Sequence, residues 1–294
     1  MGEVRPKVAH PTAYGGQAPH TQWHEYPSGL IDLSRPAGGI SSSPTGPPLE
    51  EGSGCFELRV EGQRRVRVSA RAAALVVVDM QNFFLLPSLC AHPQGLACVS
   101  PILTVARHLR SMGVRIVWLN WGLDERSSVP PALEREFKLT ARAAGAASAG
   151  PGPGPAAAAG FGADLGPALG KLLYKREPNS QLYGPLQAEY EGNSAQDWWV
   201  VKERMSGLWG DGGELASRLD AEGRRTLFFA RVNADQSVSS TIVDAFALGY
   251  DVLALSDCIG TTSPGKAKDQ IMFNMLHEYG FVTDSETVAG TKLA

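Results

Sequence analysis

Cysteine is scarce in this chain of 294 residues: Cys55, Cys90, Cys98 and Cys258 are the whole supply, and no two of them form a C-x-x-C pair. Their irregular spacing excludes a disulfide framework and leaves reduced thiols as the expectation. The six histidines fall in no H-E-x-x-H or similar ligand spacing, so no metal and no cofactor are expected. A net charge of −3 supplies no basic excess. Neither a nucleic-acid surface nor a polybasic membrane patch is therefore expected. No apolar run approaches the ~18 residues of a membrane span, and MGEVRPKVAHPTAYGG lacks the apolar core of a secretory signal. These absences lead to the expectation of a soluble, cytoplasmic chain whose partner is a small-molecule substrate.

What is present is enough for one sizeable core, since 43% of the residues are hydrophobic. Residues 1–55 are rich in Gly, Pro and Ser, with SSSPTGPPLEEGSG the clearest low-complexity stretch. They read as an arm without a core of its own, placed before a single domain at 56–294. Trp23, Tyr26, Leu30, Ile31 and Leu33 give that arm apolar surface with which to dock on the domain or on a second copy.

The domain opens with FELRVEGQRRVRV at 56–68, which alternates as a hairpin or edge strand does, with Gly62 in the turn. Residues 74–78 form a continuous apolar run, the pattern of a central parallel strand buried on both faces. A helix is expected over 97–112, with Val99, Ile102, Leu103, Ala106 and Leu109 on one face and Gly113 closing it. A strand at 114–119 follows. The Ala, Gly and Pro stretch at about 142–170 breaks the alternation and reads as a flexible loop. Strands are then expected at 198–202, 226–230, 251–255 and 281–283, with helices at 213–221, 236–248 and 265–279. The second of these helices should bury Val238, Ile242, Ala245 and Phe246, and the third Ile271, Met272, Met275 and Leu276. This alternation specifies an α/β fold, doubly wound, with a mostly parallel sheet and helices on both faces.

In open parallel sheets, ligands sit outside the carboxyl ends of the strands. Asp79 follows one strand directly, Lys202 ends another, and residues 231–237 join a strand to a helix. A carboxylate beside a lysine is a workable acid/base pair. From spacing alone a structural salt bridge accounts for the two residues equally well. Trp118, Asn120 and Trp121, near a further strand end, are candidates to line the same cleft.

Three segments carry a more specific signal: VVVDMQNFF, VVKERMSGLW and ARVNADQSVSSTIVDAFALGYDVLALSDCIGT. Together they resemble the isochorismatase-like cysteine hydrolase family, whose signature is a strand ending in D-x-Q-x-x-F, a strand-borne Lys, and G-V-x-T-[DN]-x-C-V leading into a helix. The resemblance covers roughly residues 74–282, and the arm and the WLNWGL run resemble those of large fungal-type members. It implies a Rossmann-like fold, hydrolysis of a small molecule, and a homo-oligomer, either a dimer or a tetramer. By position, Asp79 matches the family's catalytic acid/base and Lys202 the lysine that supports proton transfer. Val232-Asn233 matches a peptide bond, typically cis in the family, that turns backbone N–H groups inward as an oxyanion hole. Gln81, Phe84, Trp121 and Arg231 join Val232 and Asn233 as expected substrate-binding residues.

The chain departs from that signature where it matters most. Ser237 stands where the nucleophilic cysteine is expected, Arg231 replaces the motif's Gly, and Ala234 replaces its Thr. A thiol becomes a usable thiolate at a helix N-terminus, whereas a serine hydroxyl needs a strong adjacent base, and no histidine lies in these segments. Three readings stay open. The first is a hydrolase or repurposed small-molecule enzyme using Asp79 and Lys202 without a thiol, as the family's true isochorismatases do when the aspartate protonates a vinyl ether. The second is a ligand-binding or assembly protein without turnover. The third is a cysteine hydrolase, an amidase, carrying a Cys-to-Ser change at Ser237.

Overall fold

The chain enters the fold through a small sheet of β1 (Thr12–Tyr14), β2 (Trp23–Glu25), β3 (Leu30–Asp32), β4 (Cys55–Val60) and β5 (Arg64–Ser69), ordered β1-β2-β3-β5-β4. The structure, a computed structural model, describes residues 6–16, 21–90, 92–135, 137, 160–210 and 213–294. The expected hairpin is β4 and β5, antiparallel around Gly62. Residues 23–33 of the expected arm pack on the domain. Tyr26, Leu30, Ile31 and Leu33 are fully buried, and β3 pairs in parallel with β5, so the apolar residues of this stretch build a sheet rather than an appendage.

The main sheet has six parallel strands: β6 (Ala73–Val78), β7 (Arg115–Trp121), β8 (Trp198–Lys202), β9 (Thr226–Val232), β10 (Asp251–Gly260) and β11 (Phe281–Thr283). Their order is β11-β10-β9-β6-β7-β8. All six residues of β6 are buried, as a strand covered on both faces must be. Its side chains alternate between two cores. Leu75 and Val77 join a cluster with Ile102 and Val105 of the helix Pro93–Ser111, while Val76 and Val78 join one with Leu215, Leu219, Ile242 and Ala245. Helices therefore cover both faces of a doubly wound sheet.

The helices that bear on the site and the core are, in chain order among the described residues, α1 (Asn82–Leu85), α2 (Pro93–Ser111), α3 (Pro185–Glu191), α4 (Glu214–Ala221), α5 (Ser239–Ala247), α6 (Ala267–Asn274) and α7 (Ser285–Ala289). The chain runs from β6 through α2 to β7 on one side, and from β9 through α5 to β10 on the other. Strand order thus reverses between β6 and β9, and a crevice opens at their carboxyl ends. Among the described residues, no helix is long and apolar enough to cross a membrane.

Several expectations need adjusting. Helix α2 starts at Pro93, not 97, because Pro is suited to the first helical turn and the His92 side chain accepts a hydrogen bond from Gly95 N as the cap. Helix α5 is preceded by a wide turn, Ala234–Val238, in which Gln236 leaves helical geometry at φ −108° and ψ −111°. Val238, Ile242 and Ala245 are buried as expected, but Phe246 is 46% exposed. Thr241 takes the remaining place on the buried arc, its hydroxyl donating to Ser237 O at 2.7 Å, and this turns Phe246 outward. Of the residues expected inside the 265–279 helix only Met275 is fully buried, because the chain widens into a π turn at Met275–Tyr279. Ile271, Met272 and Leu276 are half-buried. Residues 142–159 of the expected loop lie outside the described residues.

Close approach fixes the start of α2 against the sheet. A Cβ on Gly95 would stand 2.6 Å from Leu85 Cδ2, 2.7 Å from Val232 Cγ1 and 2.9 Å from His92 Nδ1. The leucine methyl can yield, but the β-branched valine and the capping histidine are held. Gly95→Ala should therefore cost about 1–3 kcal/mol by overpacking, measured as a lower urea midpoint with an unchanged slope.

Candidate active site

The site is built where β6 stops. Continuing the alternation of β6 would place residue 79 on the face of Leu75 and Val77. Asp79 instead adopts φ +57°, the left-handed region, at a cost of roughly 1–2 kcal/mol for an L-residue. That turn ends the strand and brings its carboxylate to the side occupied by α5, while Asp79 N still donates to Leu119 O at 2.9 Å. Lys202, the last residue of β8, lies on the same face as Val200 of the second core. Ser237 lies in the wide turn that leads into α5.

These three side chains form a closed triangle. Ser237 Oγ donates to Asp79 Oδ2 at 2.8 Å, Lys202 Nζ lies 3.1 Å from the same Oδ2, and Lys202 Nζ donates to Ser237 Oγ at 3.3 Å. Asp79, Ser237 and Lys202 are 1%, 3% and 4% exposed. At such burial a carboxylate and an ammonium persist only as a hydrogen-bonded pair. Lys202 Nζ also donates to Arg204 O at 3.3 Å and stands 3.6 Å from the ring centre of Trp121, its cross-strand neighbour.

The other expected site residues divide. Trp121 forms the floor beneath Lys202 and packs at 5.4 Å from Phe161 and 6.0 Å from Phe137. Phe84 is half-buried and edge-on to Phe83 at 5.1 Å. Gln81 is a brace: its Nε2 donates to Trp121 O at 2.8 Å and Ser180 O at 2.7 Å, and its Oε1 accepts from Trp121 N at 3.0 Å. Trp118 does not reach the cleft. It points to the opposite face, where Nε1 donates to Asp197 at 2.9 Å, and Asn120 is completely buried on that same side of β7. Arg231 pairs with Val78 and Ile259 through β9, and its side chain lies outside what the structure describes.

The Val232-Asn233 peptide bond is cis. Asn233 is joined to a residue that the motif segments do not contain, His92. Asn233 Oδ1 receives Thr262 N at 2.9 Å and Thr262 Oγ1 at 3.3 Å, and it lies 2.9 Å from His92 Nε2. Because His92 Nδ1 accepts from Gly95 N, its proton belongs on Nε2, which donates to Asn233. With three donors on Oδ1 the amide cannot flip, and its NH2 group faces away from His92. Next to it, Asp235 accepts from Thr261 Oγ1 at 2.5 Å and Ser263 Oγ at 2.6 Å. The one sequence signal for His92 is its place before Pro93, a helix start. Met205, whose Sδ lies 3.9 Å from Ser237 Oγ, carries no such signal.

No thiol belongs to this triangle. Cys98 and Cys258 are buried in the first core, and burial pushes the Cys98 thiol up to about 11 and the Cys258 thiol further in the same direction. Cys55 lies on β4, and Cys90 lies between α1 and α2. Among the described residues, no group of three or more His, Cys, Asp or Glu side chains is placed to hold a metal ion.

The fold and this grouping together define an open α/β sheet, parallel throughout its six strands, with Asp79, Lys202 and Ser237 meeting at its carboxyl edge. Residues 73–287 match the Isochorismatase domain, and the chain belongs to that family. Among solved structures, it is similar to a cysteine hydrolase from Pseudomonas syringae pv. phaseolicola 1448A, with 18% identity and a TM-score of 0.57 over 76% of this chain and 92% of that one. An N-carbamoylsarcosine amidase from Thermoplasma acidophilum is 22% identical, with a TM-score of 0.52 over 73% of this chain and 96% of its own. A nicotinamidase from Bacillus subtilis is 16% identical, with a TM-score of 0.54 over 72% and 99%. At these identities the likeness to the solved structures speaks for the fold.

The two roles of Asp79, charge partner and left-handed residue, can be separated by mutation. Asp79→Ala leaves the buried ammonium of Lys202 without its carboxylate and should cost about 3–5 kcal/mol. Asp79→Gly loses the same carboxylate but adopts φ +57° freely, so it should be more stable than Asp79→Ala by about 1 kcal/mol. Urea unfolding of the pair measures the difference, and equal midpoints would remove the argument for backbone strain.

Proposed function

We propose that this protein is a small-molecule hydrolase in which Asp79 and Lys202 perform acid/base chemistry without a thiol nucleophile. One observation carries the reading: a single carboxylate oxygen, Asp79 Oδ2, is held at once by Lys202 Nζ at 3.1 Å and by the Ser237 hydroxyl at 2.8 Å. A proton can pass along either contact.

As a base, Asp79 Oδ2 takes a proton from a water held beside the Ser237 hydroxyl, and that water's oxygen bonds to the electrophilic carbon of the substrate. As an acid, the same oxygen returns the proton to the departing atom as its bond to that carbon breaks. Lys202 offsets the carboxylate's charge between the two steps, and the Trp121 ring keeps the ammonium in place from below. Ser237 orients the water without bonding to the substrate. The turn Ala234–Val238, which follows Asn233 and carries Ser237, offers backbone N–H groups for an oxygen that gains charge in the reaction. Phe246, Leu248 and Phe273, each about half exposed, are apolar surface that supports a homo-oligomer.

A second reading has its own support. Ser237 Oγ occupies the position of a nucleophile, at the start of a helix and in contact with both Asp79 and Lys202. A cysteine hydrolase carrying a Cys-to-Ser change would present the same arrangement. Similar structures are named as amidases, so amides belong in any substrate panel.

The test is turnover of isochorismate and a panel of small amides, nicotinamide among them, by the protein beside Asp79→Asn, Ser237→Ala and Ser237→Cys. The proposal expects Asp79→Asn to lower kcat/KM by about a hundredfold or more. Ser237→Ala should stay within about tenfold of the parent, the scale of one lost hydrogen bond. Activity confined to Ser237→Cys would establish the second reading instead. Activity that survives Asp79→Asn unchanged would overturn both.

A further inference from the structure

The reacting atoms have no open mouth, since none of Asp79, Lys202 and Ser237 is more than 4% exposed. Met205, three residues past β8, stands between Ser237 and a groove on the surface. Its Sδ is 3.9 Å from Ser237 Oγ, and the same residue lines a groove of about 580 Å³ along the outer surface of α5. Pro130, Leu133, Trp209 and Val243 form much of the remaining wall. Trp209 is 61% exposed and Val243 39%, so large apolar side chains are left bare in the groove that Met205 shares.

The groove has little free polar chemistry. The Ser239 and Ser240 hydroxyls donate to Gln236 O at 2.9 and 3.0 Å, and Ser206 Oγ accepts from Leu208 N at 3.0 Å. The Arg204 guanidinium lies 4.8 Å from the Trp209 ring centre and donates to Glu203 O at 3.0 Å, and Asp244 also borders the groove. What is left for a ligand is a mostly apolar surface of Pro130, Leu133, Trp209 and Val243, with Arg204 and Asp244 as its charged border. The loop behind Met205 is clamped, because Arg204 O accepts from Lys202 Nζ and Gly207 N donates to Thr241 Oγ1 at 3.1 Å. A Cβ on Gly207 would collide with the Leu119 side chain, so the loop lies tight against β7. Motion is thus left to the Met205 side chain, unbranched and with three rotatable bonds.

We propose that this groove is the distal subsite of the substrate, that it takes a flat apolar or aromatic group, and that Met205 is the movable partition between it and Ser237. The proposal rests on Asp79, Lys202 and Ser237 being the reacting centre. A volume of this size suits a group as large as a substituted aromatic ring. The thioether that fills the passage would be displaced by that group and pack against it.

The test needs no turnover, so it is readable whether or not the hydrolase assignment holds. The Ser237→Cys protein is alkylated with iodoacetamide or with its N-phenyl analogue. In either reaction a sulfur–carbon bond forms, the carbon–iodine bond breaks, iodide leaves and the thiol proton goes to solvent. Peptide mass mapping reads position 237 separately from Cys55, Cys90, Cys98 and Cys258. Adding Met205→Ala should speed both reagents about tenfold by opening the passage. Adding Trp209→Ala or Val243→Asp should slow the phenyl reagent about tenfold, the scale of one apolar ring contact, and leave iodoacetamide unchanged. If Met205→Ala changes neither rate, or the groove variants act equally on the two reagents, the proposal is overturned. Failure of both reagents to reach position 237 even with Met205→Ala also overturns it.

Discussion

A carboxylate and an ammonium held almost entirely out of water are the constraint that the rest of this structure serves. Each charge would cost several kcal/mol to desolvate alone, so Asp79 and Lys202 can be buried only together. The sheet order makes that difficult. Lys202 ends β8 and Asp79 follows β6, and β7 runs between them. The separation across two strand spacings is about 10 Å. Lys202 spans it by extending over its cross-strand partner Trp121, and Asp79 meets it by leaving the strand in a left-handed conformation. Gln81 ties the same strand ends together through the Trp121 backbone. The bonds that look structural in this region are what let one oxygen accept from two donors.

The opposite wall of the crevice is built on similar terms. Helix α2 comes close to β9 because residue 95 has no side chain, and its cap, His92, then reaches Asn233 beside the cis peptide. Ser237 lies across from it in a turn too wide to be α-helical and faces Asp79, while the Thr241 hydroxyl donates to its carbonyl oxygen. A hydroxyl at this point is a good donor to a carboxylate and a poor nucleophile without a strong base. That is why the chemistry proposed above runs through Asp79 and not through a covalent intermediate.

Much of the fold is legible from local pattern. The valine run of β6 and the short β11 are buried throughout and β4 alternates, so these strands follow from local pattern, as do the limits of β8. Asp79 and Lys202 are legible because each closes an apolar strand of a parallel sheet, the edge at which such sheets bind ligands. What stays hidden depends on contacts between distant segments. The apolar residues of 23–33 signal docking, but that they dock by pairing β3 with β5 is not in their composition. Phe246 loses its place on the buried arc to Thr241, a polar residue whose hydroxyl is satisfied by the backbone one turn earlier. His92 and Met205 reach the site from a helix cap and a loop, 141 positions before Asn233 and 32 before Ser237, and no periodicity links such pairs.

The central claim is that hydrolysis here runs by acid/base catalysis at Asp79, with Ser237 holding water and never bonding to the substrate. Rapid-quench mass spectrometry of the intact protein during turnover of an active substrate addresses this directly. The account predicts a protein mass that stays unmodified at every time point while product accumulates. A transient adduct that maps to Ser237 would contradict it and make the serine the nucleophile.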